Sequence, residues 1–146
     1  MYDRPVSSIM DRTVLVATPE TLVGEAAKRM AERNVGAILV VEKGRLAGIF
    51  TERDLLRRVA APGLDTRKTA LAAVMTPAPL TIAPATPFGQ ALVLMQENGF
   101  RHLPVVEDGQ PIGMVSARHA MDPDLEEFRS ETLRREYWKK TSGAKD

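Results

Sequence analysis

Residues 37–54 read AILVVEKGRLAGIFTERD, and residues 102–119 read HLPVVEDGQPIGMVSARH. Both stretches hold two apolar runs around a glycine turn. In both, a glycine, two apolar residues and a hydroxyl residue stand directly before the last three residues. The same shift of 65 residues aligns 6–54 with 71–119 without a gap, and 14 of the 49 pairs are identical. Unrelated sequences of ordinary composition would share roughly three. The chain therefore contains an internal repeat, which predicts two copies of one structural unit.

Each copy is predicted to form a strand, a helix, two strands and a second helix. Apolar residues place the first strands at Val14–Ala17 and Leu80–Ala83. Thr21 and Thr86 suit the N-caps of the helices that follow, and Pro87 suits a first helical position.

Two hairpins follow from the stretches quoted first. Ala37–Val41 and Leu46–Phe50 flank Glu-Lys-Gly-Arg, whereas Leu103–Val106 and Ile112–Val115 flank a sequence with the stronger turn signal Asp-Gly. Hydroxyl residues after both hairpins predict the N-caps of short helices, the first of which reaches about Ala60.

The size of the repeat predicts how its copies pack. About 50 residues are too few to bury a sheet and two helices alone. The two copies should therefore pack face to face as one pseudo-symmetric unit, with residues 62–68 as the linker. The predicted fold class is mixed α/β (α+β).

Composition excludes several classes of function. The 146 residues hold 20 Lys and Arg against 19 Asp and Glu, so no overall basic field attracts nucleic acid. No cysteine is present, which excludes disulfides and thiolate zinc sites. The charged N-terminus does not resemble a signal peptide, and no run of about 18 apolar residues predicts a membrane span. We expect a cytoplasmic protein.

The segment from Gly48 to Asp54, GIFTERD, carries the strongest binding signal. A helix that begins at Thr51 presents free backbone N–H groups to a phosphate, and the Asp54 carboxylate can accept two hydrogen bonds from a ribose. The same Thr-x-x-Asp spacing also forms a capping box, and spacing alone favours that structural interpretation. In the second copy the cap survives as Ser116, but His119 replaces the aspartate.

The segment from Phe100 to Leu103 places Arg101 and His102 directly before a buried strand. The first copy has Gly36 and Ala37 there, so the repeat itself does not require a cationic pair. Arg101 is a forked donor suited to phosphate, and His102 can donate or carry charge. A solvated arginine beside a packed histidine is an equally good interpretation of these residues alone.

No other cluster predicts catalysis or metal binding. His102 and His119 come without a third ligand, so we predict no metal site. Ser116 and His119 lack an orienting acid, so capping is favoured over a nucleophile and base. Arg57 and Arg58 are interpreted as a solvated helix face. We predict that the protein is not an enzyme and has no catalytic cofactor.

Residues 6–120 resemble the CBS-domain family, whose tandem pairs are called Bateman modules. The resemblance rests on the repeat, on GIFTERD, on GFRHLPVVEDGQPIGMVS and on the Met-Thr-Pro that precedes the second copy's first strand. It implies CBS domains at 6–61 and 71–121, which pack through their sheets and form two clefts. In such modules a cleft combines the Thr/Ser-x-x-Asp segment of one copy with the first strand and the start of the second strand of the other.

For the first cleft, the resemblance implies a set of ligand-binding residues drawn from both copies: Ile49, Thr51, Arg53, Asp54, Leu80, Thr81, Phe100, Arg101, His102 and Leu103. Asp54 would hold the ribose hydroxyls, and Thr51 would bond the ribose or a phosphate. Arg101 and His102, joined by Arg53, would face the phosphates. Leu80, Thr81, Phe100 and Leu103 would border the adenine, partly through backbone groups.

The second cleft would be lined by Val14, Val35, Gly36, Ala37, Ser116 and His119. It departs from the family pattern because His119 stands where the family has the ribose-binding aspartate, and an imidazole cannot replace two carboxylate acceptors. We expect this cleft to be empty, weak or differently selective.

The C-terminal residues predict an interaction element. Leu125, Phe128, Leu133 and Tyr137 can share one face of an amphipathic helix at 122–140, followed by a disordered tail at 141–146. The helix either folds back on its own module or crosses a homodimer interface, and the resemblance favours the homodimer.

The predicted function is regulatory. An adenine nucleotide (AMP, ADP or ATP) would bind between the copies, and a change in their packing would act in trans on an effector protein not identified by the sequence. Arg101 beside His102 favours a phosphate ligand over S-adenosylmethionine. The alternative is a protein-interaction module with vestigial clefts, whose function would survive the loss of both Asp54 and Arg101. Nucleic acid and membranes are not expected partners.

Overall fold

The computed structural model describes residues 2–120 and residue 135. The predicted helix at 122–140 and tail at 141–146 therefore lie outside the described residues, except at residue 135.

The first copy follows the predicted order of elements. A short 3₁₀ helix at Val6–Ser8 precedes five elements. These are β1 (Val16–Ala17), α1 (Val23–Arg33), β2 (Ala37–Glu42), β3 (Arg45–Thr51) and α2 (Glu52–Asp54), which continues as a π-helix over Leu55–Ala60.

The second copy repeats this order with one strand reduced. Its elements are α3 (Leu71–Val74), β4 (Thr76–Pro77), α4 (Phe88–Asn98), β5 (His102–Glu107), β6 (Gln110–Ser116) and a 3₁₀ helix at Ala117–Ala120. The strand predicted at Leu80–Ala83 is only a single parallel bridge from Ile82 to Val105. The mixed α+β fold class is confirmed. In the described part of the chain, no helix has the length and apolar character needed to cross a membrane.

Both predicted hairpins form, and they are alike in detail. Lys43 and Gly44 have φ of 53° and 77°, and Asp108 and Gly109 have φ of 53° and 79°. Two-residue turns with positive φ at both positions match the twist of the strands they join. Each hairpin also shifts register at the corresponding place, between Val40 and Val41 in one copy and 65 residues later in the other.

The predicted N-caps of the long helices are wrong. Leu22 and Pro87 hold the N-cap positions of α1 and α4, and neither makes a side-chain cap. Thr21 lies one residue earlier, and its Oγ1 accepts the Thr18 N–H at 3.1 Å instead. Thr86 likewise lies one residue before the N-cap of α4, so Pro87 is the N-cap and not the first helical residue as predicted. The helix starts are satisfied by the backbone that precedes the other copy, since Val23 N–H donates to Thr69 O at 2.9 Å and Phe88 N–H donates to Arg4 O at 2.8 Å.

The segment that begins each copy packs on the sheet of the other copy. β4 pairs with β3, in the order β1-β2-β3-β4, through Ile49 and Thr76. At the equivalent place Asp11 bridges Met114 of β6. The repeat alone did not predict this exchange. Because it is reciprocal, it supports the pseudo-twofold packing of the two copies.

Two glycines allow the exchanged segments to approach closely. A Cβ atom at Gly48 would lie 3.0 Å from Thr76 O, and one at Gly113 would lie 3.0 Å from Asp11 O. These distances are shorter than ordinary packing allows, so a side chain would push the crossing strand away from its partner. This steric requirement explains why both copies have glycine at this position.

The exchange also mixes the hydrophobic cores. Leu71 and Val74 pack in the core of the first copy, with Phe50 and Ile38. Val6 packs in the core of the second copy. A third apolar cluster joins the two sheets: Ala37, Leu39, Ile49 and Met114. Neither copy therefore has a complete core of its own.

We expect Leu71→Ala to lower the free energy of unfolding by about 2–5 kcal/mol, because a fully buried leucine would leave a cavity. Urea unfolding followed by circular dichroism would measure the change. Both copies should unfold in one transition, since Leu71 belongs to one copy and packs in the other. Leu64→Ala, at a position 44% exposed, is the control. A two-step unfolding curve would contradict the shared core.

Candidate functional site

The GIFTERD segment forms both of its predicted contacts at the start of α2. Thr51 N–H donates to Asp54 Oδ2 at 3.0 Å, and Asp54 N–H donates to Thr51 Oγ1 at 3.2 Å. The capping-box interpretation is therefore confirmed. Asp54 is only 8% exposed, yet it lines the main cavity. A carboxylate has about four acceptor positions, so this contact leaves capacity for a ligand.

Two arginines of the same helix reach across to the second copy. Arg53 Nη1 donates to Gly99 O at 2.8 Å, and Arg58 Nη1 donates to Met75 O at 3.0 Å. Arg58 Nε also lies 3.5 Å from Asp54 Oδ1. The helix that carries Asp54 is thus hydrogen-bonded to the second copy through two arginine side chains.

His102 lies where the two copies meet, close to Gly36 and Glu52. A Cβ atom at Gly36 would lie 2.8 Å from Glu52 Oε1 and 3.3 Å from His102 Cε1. A side chain at position 36 would displace the end of the Glu52 side chain and crowd His102. Gly36 thus leaves space beside these two side chains, which the sequence alone did not reveal.

His102 is neutral at neutral pH. Burial lowers its pKa below the ordinary value of 6.5, because the imidazolium form loses water. The Glu52 carboxylate opposes this shift, and the positive charges of Arg118 and Arg101 add to it. Neutral His102 can donate one N–H to a ligand without contributing charge of its own.

His119 caps the second copy's short helix as Asp54 caps the first. Ser116 N–H donates to His119 Nδ1 at 2.9 Å, so the ring proton lies on Nε2, which is 3.5 Å from Asp11 Oδ1. Arg118 Nη2 also contacts Asp11, at 2.8 Å from Oδ2. Asp11 is an orienting acid that the sequence did not place beside Ser116 and His119. The arrangement is still a cap, because the Ser116 backbone already occupies the nitrogen that a general base would need.

The main cavity has a volume of about 1030 Å³ and is lined by both copies. Eight of the ten residues proposed for the first cleft border it: Ile49, Thr51, Arg53, Asp54, Leu80, Phe100, Arg101 and His102. Asp54, Arg101 and His102 thus line one space, as the sequence interpretation required. Leu103 is fully buried in the second copy's core, and Thr81 is exposed outside the lining, so neither side chain borders the cavity as predicted.

The predicted second cleft is not separate from the first. Val35, Gly36 and Ser116 line the same large cavity. Val14 and Ala37 belong instead to the apolar cluster between the sheets, and His119 lies outside the lining. The structure thus has one large cavity with a smaller one beside it, and the arrangement in two clefts stays a prediction.

Several lining residues were missed by sequence reasoning. The polar ones are Asp11, Asn34, Glu52, Arg57, Arg58, Thr76, Asn98 and Arg118, and the others are Leu56, Pro79, Gly99 and Ala117. Arg57 and Arg58 were interpreted as a solvated helix face. The four-residue spacing between Asp54 and Arg58 could have predicted the ion pair that these two residues form. Asp11 and Thr76 had no detectable signal, because only the exchange brings them here.

The charges that line the main cavity are mostly positive. Five arginines border it, against the three carboxylates of Asp11, Glu52 and Asp54. The described residues contain no group of three or more His, Cys, Asp or Glu placed to hold a metal ion. The cavity is therefore suited to an anionic organic ligand.

Comparison with known proteins identifies the family. The model of the CBS domain matches residues 6–61 and 71–123. The chain is 38% identical over 129 residues to the CBS domain-containing protein CBSX3, mitochondrial, of Arabidopsis thaliana, with 85% of this chain and 63% of that protein covered. It spans smaller shares, 13% and 21%, of two other relatives.

Solved structures agree with the observed fold. A putative signal-transduction protein with CBS domains from Burkholderia ambifaria is 36% identical, with a TM-score of 0.70 over 74% of this chain and 79% of that chain. The CBS domain pair of protein MJ0100, in complex with 5-methylthioadenosine and S-adenosyl-L-methionine, is 24% identical, with a TM-score of 0.71 over 80% and 91% of the two chains. The chain belongs to the CBS-domain family, of which it carries a tandem pair of domains.

Proposed function

We propose that this protein is a regulatory sensor that binds AMP, ADP or ATP in the main cavity and is not an enzyme. A pair of CBS domains is a regulatory module. The observation that carries the proposal is the combination of exposed apolar side chains, a buried carboxylate and an excess of arginines in one cavity. We place the domain limits at 6–61 and 71–121.

The adenine end is supported by exposed apolar surface. Phe100 is 42% exposed, Leu80 is 39% exposed and Leu56 is 63% exposed, and all three border the cavity. Large apolar side chains that stay exposed beside a cavity are typical of a ligand site. A flat purine would cover them.

The ribose end is supported by Asp54 and Thr51. Burial among both copies fixes the position of the carboxylate, and the capping box fixes its orientation. The other carboxylate oxygen of Asp54, Oδ1, lies 3.5 Å from Arg58 Nε. Two vicinal hydroxyls are a good match for such a carboxylate, because each can donate to it.

The phosphate end is supported by two arginine side chains. In the described part of the chain, the guanidinium groups of Arg57 and Arg101 form no hydrogen bond or ion pair, whereas those of Arg53, Arg58 and Arg118 each bond to another residue. Free guanidinium groups suit bidentate contacts with phosphate oxygens. The structure of protein MJ0100 contains adenosine-type ligands in a CBS pair, which supports the same ligand class here.

Ligand binding would be transmitted through the packing of the two copies. The cavity is lined by both, so a nucleotide that contacts Asp54 and Arg101 together stabilises one relative placement over others. In this proposal the change is recognised by a separate effector protein in the cytoplasm.

A homodimer is supported by the surface of α4. Val93 is 50% exposed on α4, with Leu92 and Leu94 half-buried beside it. The equivalent position on α1 is Lys28, a charged residue. Only one of the two equivalent helices thus presents an apolar surface, which a second copy of the chain would cover.

We expect Arg101→Ala and Asp54→Asn each to weaken ATP binding by about tenfold or more, since hydrogen bonds to charged groups are strong. Isothermal titration with AMP, ADP, ATP and S-adenosylmethionine would measure the affinities. Asp54→Asn keeps an acceptor for Thr51 N–H, so the cap should survive. Arg67→Ala removes the same charge from the exposed linker and should leave affinity unchanged. Unaltered binding in both site variants would refute the proposed site.

We expect nucleotide binding to make His102 take up protons near pH 6.5. In the free protein its pKa is lowered, so the ring is mostly neutral; a bound phosphate raises that pKa, and affinity therefore increases as pH falls. Titrations in two buffers of different ionisation enthalpy give the number of protons. The number of protons taken up by the wild type minus the number taken up by His102→Asn gives the contribution of His102 without the ligand's own titration. Equal numbers for the two proteins would mean that the phosphate lies away from His102.

We expect Val93→Glu to convert a dimer to a monomer, because the interface would bury an unpaired carboxylate. Sedimentation velocity at several protein concentrations would measure the change. Lys28→Glu introduces the same side chain at the equivalent position of α1 and should leave the dimer intact. An unchanged dimer in Val93→Glu would exclude this face of α4 as the interface.

A further inference from the structure

The two copies carry a carboxylate at different places. In the first copy the helix cap is Asp54, and the exchanged segment places the uncharged Thr76 in the wall of the main cavity. In the second copy the cap is His119, and the exchanged segment carries Asp11 at the position equivalent to Thr76. The carboxylate thus stands on the helix in one copy and on the exchanged segment in the other.

This difference changes the partner of one of two equivalent arginines. Arg53 Nη1 donates at 2.8 Å to Gly99 O, the carbonyl at the C-cap of α4. The equivalent acceptor for Arg118 would be Asn34 O, at the C-cap of α1. Arg118 Nη2 instead contacts Asp11 Oδ2 at 2.8 Å, because a guanidinium bonds more strongly to a carboxylate than to a neutral carbonyl. Asp11 therefore determines where the Arg118 side chain points.

The exchange of segments does not need the Asp11 side chain. Asp11 N–H donates to Met114 O, and Met114 N–H donates to Asp11 O, both at 2.9 Å, so this bridge uses backbone groups alone. Thr76 holds the equivalent position beside β3 with an uncharged side chain. A substitution of Asp11 can therefore change the pairing of Arg118 and leave the fold intact.

The Asp11–Arg118 pair lies beside the proposed phosphate end of the main cavity, which both residues line. Burial is the largest cause that lowers the pKa of His102, and the positive charges of Arg118 and Arg101 lower it further, so both arginines lie close to this ring. The pair is also exposed, with 62% of the Arg118 side chain and 42% of the Asp11 side chain accessible. Exposed ion pairs are weak, so an anion in the cavity can compete with Asp11 for Arg118.

We propose that Asp11 is a positioning residue that sets the selectivity of the main cavity, because its carboxylate holds Arg118 in place of a ligand phosphate. The inference rests on the proposed nucleotide function and adds that residue 11 shifts the selectivity from ATP towards AMP. Each further phosphate adds negative charge that needs another guanidinium group. A ligand with three phosphates therefore loses more than AMP does when Arg118 is occupied.

Titration calorimetry of the full chain with AMP and with ATP, at constant ionic strength and without divalent cations, tests the proposal. Asp11→Thr gives the second copy the residue of the first. It should strengthen ATP binding by about two- to fivefold, the size of an exposed ion pair, and AMP binding by less. Asp65→Thr is the matched control, because Asp65 also pairs with an arginine but lies in the linker, outside the cavity lining. It should leave both affinities unchanged.

A double variant separates this proposal from simple repulsion between a carboxylate and a phosphate. Asp11→Thr should strengthen ATP binding in the wild-type background and have no effect on it in the Arg118→Ala background, since Asp11 acts through Arg118. Thermal unfolding verifies that each variant is folded.

Three results would overturn the proposal. These are an equal gain in ATP affinity in the Arg118→Ala background, equal gains for AMP and ATP, and no gain in Asp11→Thr although the wild type binds nucleotide. Each of them leaves the nucleotide site itself in place. Absence of nucleotide binding in both the wild type and Asp11→Thr would refute the proposed function, and this inference with it.

Discussion

Thr76 lies antiparallel beside β3 at Gly48, and Asp11 lies antiparallel beside β6 at Gly113. Their carbonyl oxygens are each 3.0 Å from where a Cβ atom on the glycine would stand. Both the core and the main cavity depend on these two close approaches. They carry apolar residues of one copy into the core of the other. They also bring Asp11 and Thr76 into the wall of the main cavity. A change that lifted either crossing strand would therefore disturb the core and the cavity together.

Crowding at the meeting point of the two copies makes the cavity asymmetric. Glu52 and His102 both lie close to Gly36, where a Cβ atom would be 2.8 Å from Glu52 Oε1 and 3.3 Å from His102 Cε1. The equivalent position in the other copy is Arg101, which has room to face the cavity. His102 of the second copy occupies part of the space that the glycine leaves.

The sequence predicted features that depend on local order. The hairpins and the Thr51 cap could be predicted because turn and capping residues act on their immediate neighbours. The Thr21 cap was wrong because backbone groups from residues 66–69 satisfy the start of α1 instead. The exchange of segments could not be predicted, since a repeat has the same period whether its first segment packs on its own sheet or on the other. The places of Asp11 and Thr76 in the wall of the main cavity follow from that exchange.

The two helix caps show why the difference between Asp54 and His119 concerns more than helix stability. Both side chains accept the backbone N–H of the residue three positions earlier, at 3.0 Å and 2.9 Å, so both serve as caps. They differ in the surroundings of the second polar atom, which is Oδ1 in Asp54 and Nε2 in His119. Asp54 keeps an oxygen beside Arg58 at the edge of the main cavity, whereas the free nitrogen of His119 faces Asp11, and His119 lies outside the lining. Either residue can cap the helix. What distinguishes the Asp54 carboxylate is that it borders the main cavity, where a ribose could bind to it.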